Sequence, residues 1–123
     1  MTSYSVSILE ASKELTAKQR IQIKDTTDAI GLDKATQSES IAIDVDMYAI
    51  LSIHNEKSED KDYECYVIVD KNGTRYTTGS PSFWSSFINI YNEMKDESDW
   101  MLKVFRLPSK NRQGKDFITC SVI

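Results

Sequence analysis

Residues 80–95 read S-P-S-F-W-S-S-F-I-N-I-Y-N-E-M-K, the only strongly helical run in this sequence of 123 residues. Ser80 suits the N-cap position, and Pro81 suits the first helical position, where its missing N–H costs nothing. Large apolar side chains then recur at steps of three and four residues, which places them on one helix face. They are Phe83, Trp84, Phe87, Ile88, Tyr91 and Met94. Burial contributes roughly 1.5–3 kcal/mol per large side chain, so we expect this helix to fill the core of a sheet or barrel.

Three strand-like segments precede the helix. Residues 41–53 alternate in polarity up to Asp46 and are nearly all apolar afterwards, which predicts one long strand, straight or bent in the middle. A helix opened by Asp46 is the alternative for the second half of this segment. Residues 63–70 are rich in aromatic and β-branched side chains. Asn72 and Gly73 then supply the positive φ angles of a tight hairpin that returns over residues 74–78.

Two further strands follow the helix. Residues 100–107 alternate, residues 108–114 have the Pro, Gly and polar content of a loop, and residues 116–123 alternate as a last strand. The order from residue 41 is therefore β-β-β-α-β-β, mainly β with one helix, as in the five-stranded OB-like antiparallel barrel. An open antiparallel sheet covered by one helix has the same order, so barrel and open sheet both remain.

Residues 1–40 are predicted to be an N-terminal extension of uncertain structure, and residues 41–123 the OB-like domain. Residues 4–8 alternate like a short strand, and residues 21–23 alternate again. Thr16 and Gln19 have the spacing of a capping box that opens a short helix. The segment is rich in Ser, Thr, Lys and Asp, as expected of an arm that is either mobile or wrapped around a neighbour.

Composition argues against several classes of protein. Hydrophobic residues make up 40% and charged residues 28% of the chain, as in ordinary globular proteins. No apolar run has the length of a transmembrane span and the first residues lack a signal-peptide pattern, so we expect a cytoplasmic protein with no membrane partner. Cys65 and Cys120 are isolated and His54 is the single histidine, too few ligands for a zinc site. Without a Gly-rich phosphate loop or a nucleophile elbow, we expect no enzyme, no cofactor and no metal.

Charge is distributed unevenly along the chain. The net charge is −4, but residues 101–123 carry five basic side chains against one acid, Asp116, which gives +4. A local cluster decides binding to a polyanion more than the sum does. In an OB fold the loop between strands four and five borders the binding face, so a phosphate backbone is expected to run here. Lys71 and Arg75, near the hairpin turn, either extend this basic track or solvate an edge strand. The five basic residues are Lys103, Arg106, Lys110, Arg112 and Lys115.

Aromatic side chains on strands two to four are the second feature expected of a site that binds a single-stranded nucleic acid. Single strands are held by bases stacked on aromatic rings, worth roughly 1–3 kcal/mol per base, and by basic side chains along the phosphates. Tyr63, Tyr66 and Tyr76 are the candidate rings. Alternation does not decide which of them point into the core, whereas Phe105 is expected in the core.

Four stretches carry a resemblance to a known family: Y-A-I-L-S-I-H-N-E-K-S (48–58), Y-V-I-V-D-K-N-G (66–73), T-G-S-x-x-F-W (78–84) and L-P-S-K-N-R-Q-G-K-D-F-I-T-C-S (107–121). In these the chain resembles the small single-stranded DNA-binding proteins of bacteriophages that infect Gram-positive hosts. The resemblance implies an OB fold, sequence-independent binding of single strands, self-association and a place in the host cytoplasm. Many such proteins end in an acidic tail that recruits replication partners, whereas this sequence ends in S-V-I, so recruitment through such a tail is not expected.

The sequence therefore favours a single-stranded DNA-binding protein that acts in DNA replication or recombination. Its expected partners are single-stranded DNA, further copies of the chain in a dimer or higher oligomer, and a host or phage replication protein. The alternative is a regulatory module that binds a host protein, suggested by the acidic stretch over residues 56–62. The predicted DNA-binding residues are Tyr63, Tyr66, Lys71, Arg75, Tyr76, Lys103, Arg106, Lys110, Arg112 and Lys115.

Overall fold

The computed structural model describes residues 4–56, 62–108 and 116–123, which are mainly β. Within these ranges there are eight strands and three helices. In chain order they are β1 (Tyr4–Ala11), α1 (Ala17–Lys24), β2 (Ile30–Gly31), α2 (Leu32–Ala35), β3 (Ile41–Ile43), β4 (Val45–Asn55), β5 (Asp62–Asp70), β6 (Arg75–Thr78), α3 (Pro81–Met94), β7 (Leu102–Pro108) and β8 (Asp116–Val122). The mainly β content confirms the sequence prediction. The predicted single helix is α3, but α1 and α2 lie in residues 1–40, and after residue 41 the predicted first strand is divided into β3 and β4.

The predicted long strand changes sheets at Asp44. β3 and β4 are both extended and are separated by this single residue, so the helical alternative for the second half is wrong. β4 belongs to a sheet with the order β1-β4-β5-β6-β2, and β3 belongs to a second sheet with the order β3-β7-β8. Among the described residues no strand pairing closes the two sheets into a barrel, so the closed OB-like barrel is not confirmed.

The first of two compact units comprises residues 1–30 and 46–79. It contains β1, α1, β5, β6 and all but the first residue of β4. Its core lies on one face of the sheet, where alternate residues of β4 meet Ile23 of α1. The buried core residues are Ile23, Met47, Ala49, Leu51, Ile53 and Val67.

A β-bulge fits β1 to this core. The register shifts between Ile8 and Glu10, so Leu9 is an extra residue without a partner on β4. Ile8 and Ala11 both pack against the core although they are three positions apart, which strict alternation would forbid. Glu10 lies on the other face, where its Oε2 accepts a hydrogen bond from the Tyr48 hydroxyl at 2.8 Å.

The predicted capping box opens α1. Thr16 Oγ1 accepts a hydrogen bond from the Gln19 backbone N–H at 3.2 Å, and Gln19 Oε1 accepts one from the Thr16 N–H at 2.9 Å. These bonds satisfy backbone donors that have no partner in the first helical turn. The helix runs through residues 21–23, so the strand-like alternation there is a wrong indication. Ile23 is buried and Ile21 is exposed.

The second unit comprises residues 31–45 and 80–123, and α3 is its main helix. Ser80 Oγ accepts a hydrogen bond from the Phe83 N–H at 3.2 Å, and Pro81 occupies the first turn, as predicted. Phe83, Trp84 and Phe87 are buried on α3, which packs against β8. The helix therefore fills the core of a sheet, as its apolar face indicates.

Replacing Phe87 with Ala tests how much this core depends on α3. The Phe87 ring is fully buried, with ring centroids 4.8 Å from Trp84 and 5.8 Å from Tyr91. Truncation of such a ring leaves a cavity, so we expect Phe87→Ala to lower the free energy of unfolding by about 3–5 kcal/mol in urea denaturation. Ser85→Ala on the exposed side of the same helix is the control, with an expected change within about 0.5 kcal/mol. Equal effects of the two substitutions would contradict the assigned helix face.

Candidate nucleic-acid interface

The β7–β8 hairpin has one buried face and one accessible face. The antiparallel register pairs Val104 with Cys120 and Phe105 with Thr119, and successive pairs alternate between the faces. The buried face carries Leu102, Val104, Ile118 and Cys120. The opposite face, which we call the outer face, carries Lys103, Phe105, Leu107, Phe117, Thr119 and Ser121.

Two aromatic rings lie on the outer face. Phe117 is 44% exposed and pairs with Leu107, which is 42% exposed, at the end of the hairpin. Phe105 is half-buried and lies two positions further along β7 on the same face. The expectation that Phe105 belongs to the core is wrong, because Leu102 and Val104 occupy the buried positions of this strand.

Lys103 places a positive charge directly on this face. Its Nζ lies over the Phe105 ring, 5.3 Å from the ring centroid, which is cation–π geometry. Lys103 is the only charged residue among the six that form the outer face. Of the predicted DNA-binding residues that the structure describes, Lys103 is the one beside an accessible aromatic ring on this face.

Lys110, Arg112 and Lys115 lie outside the described residues. They belong to residues 109–115, which connect Pro108 at the end of β7 to Asp116 at the start of β8. The chain therefore leaves and re-enters the hairpin beside the exposed Leu107–Phe117 pair. The structure adds no contact for these three side chains, and their role stays a prediction.

The three predicted tyrosines differ in accessibility. Tyr63 at the start of β5 is 39% exposed, whereas Tyr66 is only 9% exposed and Tyr76 on β6 is half-buried. Tyr66 pairs with Thr78, and Tyr76 pairs with Ile68, so both tyrosines lie on the same sheet face. The core interpretation that the sequence left open is therefore the one that fits Tyr66.

Acidic groups lie close to these two tyrosines. Burial raises the pKa of the Tyr66 hydroxyl, and the charge of Glu64 raises it further. Burial likewise raises the pKa of the Tyr76 hydroxyl, with a smaller effect from Asp70. The same negative charges oppose the approach of a phosphate backbone. This face of the β5–β6 pair is therefore less suited to a polyanion than the outer face of β7 and β8.

Lys71 is exposed in the tight turn between β5 and β6. The turn is built by Asp70, whose Oδ1 accepts hydrogen bonds from the backbone N–H groups of Asn72 at 2.9 Å and Thr74 at 2.8 Å. Gly73 has a φ of 88°, a conformation that glycine adopts without strain. The predicted hairpin turn is thus confirmed, with the positive φ angle at Gly73, whereas the positive φ angle predicted for Asn72 is wrong. Lys71 is displayed at the tip of the turn.

The guanidinium group of Arg75 binds the C-terminal end of α1. Its Nη1 donates hydrogen bonds to the backbone carbonyl oxygens of Gln22 and Asp25, at the end of the helix. The last carbonyls of a helix have no partner within the helix and carry partial negative charge, so a guanidinium group is favourable there. Arg75 therefore has a structural use in fixing α1 to the β5–β6 hairpin.

Arg106 has a similar structural use in the second unit. Its Nη2 donates a hydrogen bond to the Asp33 backbone carbonyl at 2.8 Å, and its Nε donates to Thr36 Oγ1 at 3.3 Å. Thr36 is itself buried and donates to the carbonyl of Leu32 at 2.8 Å. Arg106 thereby connects β7 to α2 from the side of the sheet that faces away from Phe105.

A pocket of about 480 Å³ lies within the first unit, between α1, the start of β4 and the β5–β6 turn. Its floor includes the buried Ile23 and Met47. The charged residues that line it are Lys13, Lys71, Arg75, Asp25, Asp46 and Asp70. Three cations against three acids give no net positive charge, so this pocket does not have the electrostatics of a phosphate-binding site.

Burial disfavours the reactive form of both cysteines. Burial raises the pKa of the Cys120 thiol to about 12 and also raises the pKa of Cys65. The thiolate is the nucleophilic form, and burial disfavours it. Cys65 packs against the first unit's core, whereas His54 follows the core residue Ile53 and so lies on the opposite sheet face. Residues 4–56, 62–108 and 116–123 contain no cluster of His, Cys, Asp and Glu suited to a metal ion.

His54 instead lies between two carboxylates. Its Nδ1 is 2.7 Å from Asp62 Oδ1, and its Nε2 is 2.7 Å from Glu56 Oε1. The hydrogen bond with Asp62, followed by that with Glu56, raises the pKa of His54 above its ordinary value of 6.5. The imidazolium form donates from both ring nitrogens and therefore satisfies both carboxylates at once.

Phe117 is the residue of the outer face that sequence reasoning missed. A signal for it was present: residues 117–122 place Phe117, Thr119 and Ser121 on one side of the strand and three apolar residues on the other. The more uniformly apolar side is the one that packs into a core. The pattern therefore predicts that Phe117 lies on the accessible side of the strand, together with Thr119 and Ser121.

Comparison with protein-family models, with curated proteins and with solved structures gives no match to this chain. Among the helices in the described ranges, none has the length and apolar content needed to cross a membrane.

The Arg75 contacts predict a loss of stability when the guanidinium is removed. We expect Arg75→Ala to lower the free energy of unfolding by about 1–2 kcal/mol, because two helix carbonyls lose a charged donor. Urea denaturation followed by circular dichroism measures this, with Lys18→Ala at an exposed position of α1 as the control substitution. If Arg75→Ala left the stability unchanged but weakened the binding of single strands, Arg75 would instead be a residue that contacts the DNA.

The His54 cluster predicts a pH dependence. We expect NMR titration of the single imidazole to give a pKa above 6.5, lowered more by Asp62→Asn than by Glu56→Gln. Because the folded state raises this pKa, the cluster contributes stability that is full below pH 6.5 and is lost as the pH rises through the folded-state pKa. The double variant Asp62→Asn, Glu56→Gln should titrate near 6.5 and lose that dependence. An imidazole pKa at or below 6.5 in the unmodified protein would rule the cluster out.

Proposed function

We propose that this protein binds single-stranded DNA without sequence specificity and acts in DNA replication or recombination. The proposed binding surface is the outer face of β7 and β8 together with Lys110, Arg112 and Lys115, which belong to the segment of residues 109–115 between the two strands. Bases stack on the accessible rings, and lysine and arginine side chains contact the phosphates. Proteins that hold single strands in a sequence-tolerant way combine these two kinds of contact.

The observation that carries the proposal is the pairing of rings and charge on the outer face. Phe117 is accessible, Phe105 is partly accessible, and the Lys103 ammonium lies 5.3 Å from the Phe105 ring centroid. Lys110, Arg112 and Lys115 follow in the chain directly after the strand that carries Phe105. Every base has a π-face, so two rings beside a basic segment suit any sequence of bases.

An OB-like barrel is the finer fold that we propose. Strands β4, β5 and β6, then α3, then β7 and β8 follow the OB order of strands and helix. The chain also passes from one sheet to the other at Asp44, and a strand that switches sheets at a bend is how barrel-like sandwiches form their corners. In that order residues 109–115 correspond to the loop between strands four and five, which borders the OB binding face.

Self-association belongs to the same proposal. β1 is the last strand at one edge of its sheet, and no described strand pairs with its outer side. Before the bulge at Leu9, residues 4–8 contain neither Pro nor a charged side chain, which commonly protect an edge strand from pairing. A dimer or higher oligomer would place several binding surfaces along one strand of DNA, where a replication protein of host or phage would meet them.

A protein-interaction module is the second candidate function. The exposed Leu107–Phe117 pair is also an apolar surface of the kind that a protein partner covers. The two functions differ in their dependence on salt, because release of counterions from phosphates makes nucleic-acid binding fall steeply as salt rises.

Fluorescence anisotropy of labelled oligo-dT at several salt concentrations tests the proposal. We expect binding whose log-log salt slope falls by at least about 1.4 in the variant Lys110→Glu, Arg112→Glu, because each phosphate contact to a single strand contributes about 0.7. The matched control is Lys18→Glu, Lys24→Glu, which makes the same change in net charge on exposed positions of α1.

Two outcomes would contradict the proposal. Equal losses in both double variants would show that net charge matters and the position of the charge does not. No binding of oligo-dT by the unmodified protein, together with stoichiometric capture of one protein partner, would support the protein-interaction module.

A further inference from the structure

The two rings of the outer face are diagonal neighbours. Phe105 lies opposite Thr119, and Phe117, which lies opposite Leu107, comes two positions before Thr119 on β8. Diagonal neighbours on one face of an antiparallel pair lie about 7–8 Å apart, with their Cβ atoms somewhat closer. Consecutive nucleotides in a stacked strand advance by only about 3.4 Å. Two bases that each lie over one of these rings are therefore further apart than neighbours that stay stacked on each other.

The Lys103 ammonium occupies the approach to one of these rings. Its Nζ lies over the ring of Phe105, where a stacked base would lie. A base and the ammonium group cannot occupy that position together. A nucleotide that places its base on Phe105 also brings a phosphate. The displaced ammonium can then pair with the full negative charge of the phosphate, which replaces its weaker interaction with the ring quadrupole.

We propose that the outer face holds two neighbouring nucleotides of one strand, unstacked from each other, with one base on Phe105 and one on Phe117. Lys103 covers the Phe105 ring in the free protein, and its ammonium moves to the phosphate when the base stacks. This inference rests on the proposed function and assigns two of its base positions and one of its phosphate contacts.

Selection against duplex DNA follows from the ring spacing. The bases of a duplex are paired and stacked, and separating two neighbours requires both kinds of contact to be broken. A single strand can extend to match the two rings. The spacing of Phe105 and Phe117 thus favours single strands independently of how the basic residues of the loop are arranged.

The test combines a lysine series with a ring series. For Lys103→Met we expect the log-log salt slope of oligo-dT binding to fall by about 0.7, the contribution of one phosphate contact to a single strand. Lys103→Arg should retain the slope, because its charge is kept, and Lys18→Met on α1 is the control for charge alone. Phe117→Leu and Phe105→Leu should each weaken binding about 5- to 150-fold, the range for loss of one stacked base.

Circular dichroism reports the unstacking directly. A short oligonucleotide with two adjacent 2-aminopurines should lose its exciton-coupled signal on binding to the unmodified protein, and should regain part of it in Phe117→Leu. Phe117 is exposed, so this variant keeps the test valid even if Phe105→Leu fails to fold.

The outcomes separate this inference from the proposed function. Absence of oligo-dT binding by the unmodified protein overturns both. Salt-dependent binding with the same slope in Lys103→Met, or with the exciton signal retained in the complex, overturns the inference and leaves the proposed function standing. A slope lowered equally by Lys18→Met overturns the assignment of Lys103 to a phosphate.

Discussion

The side-to-side alternation of the β7–β8 pair is the constraint on which the candidate interface depends. Val104 and Cys120 form one pair on the buried face, and Phe105 and Thr119 form the next pair on the outer face. A shift of one residue in either strand would move its side chains to the other face, burying polar groups and exposing apolar ones. The packing that stabilises the second unit therefore also holds Phe105 and Phe117 outward.

Fewer basic side chains are available to a ligand than the number in the sequence suggests. Arg75 donates to carbonyl oxygens at the end of α1, and Arg106 donates to Asp33 and Thr36. Asp25 lies 50 residues from Arg75 along the chain, and Asp33 lies 73 residues from Arg106. No local sequence pattern therefore predicts these contacts. Lys103 differs, because the contact of its ammonium is with a ring that a base can cover.

Local patterns predicted the order of the elements well, since alternation and capping depend on neighbouring residues. The N-cap at Ser80, the hairpin turn at Gly73 and the capping box at Thr16 are all confirmed. The pairings of β1 with β4 and of β3 with β7 were not predictable to the same extent, because they join segments that are distant in the sequence. The orientation of Tyr66 stayed open for a different reason: both sides of β5 carry apolar residues, so alternation alone has no preferred answer.

The two compact units are interleaved in the sequence. The chain passes from one unit to the other after residues 30, 45 and 79, so neither unit is a continuous piece of the polypeptide. No single truncation removes one unit and keeps the other whole. During synthesis the first unit therefore has its full set of strands only after residue 79, and the second unit, which starts at residue 31, has its own only after residue 122.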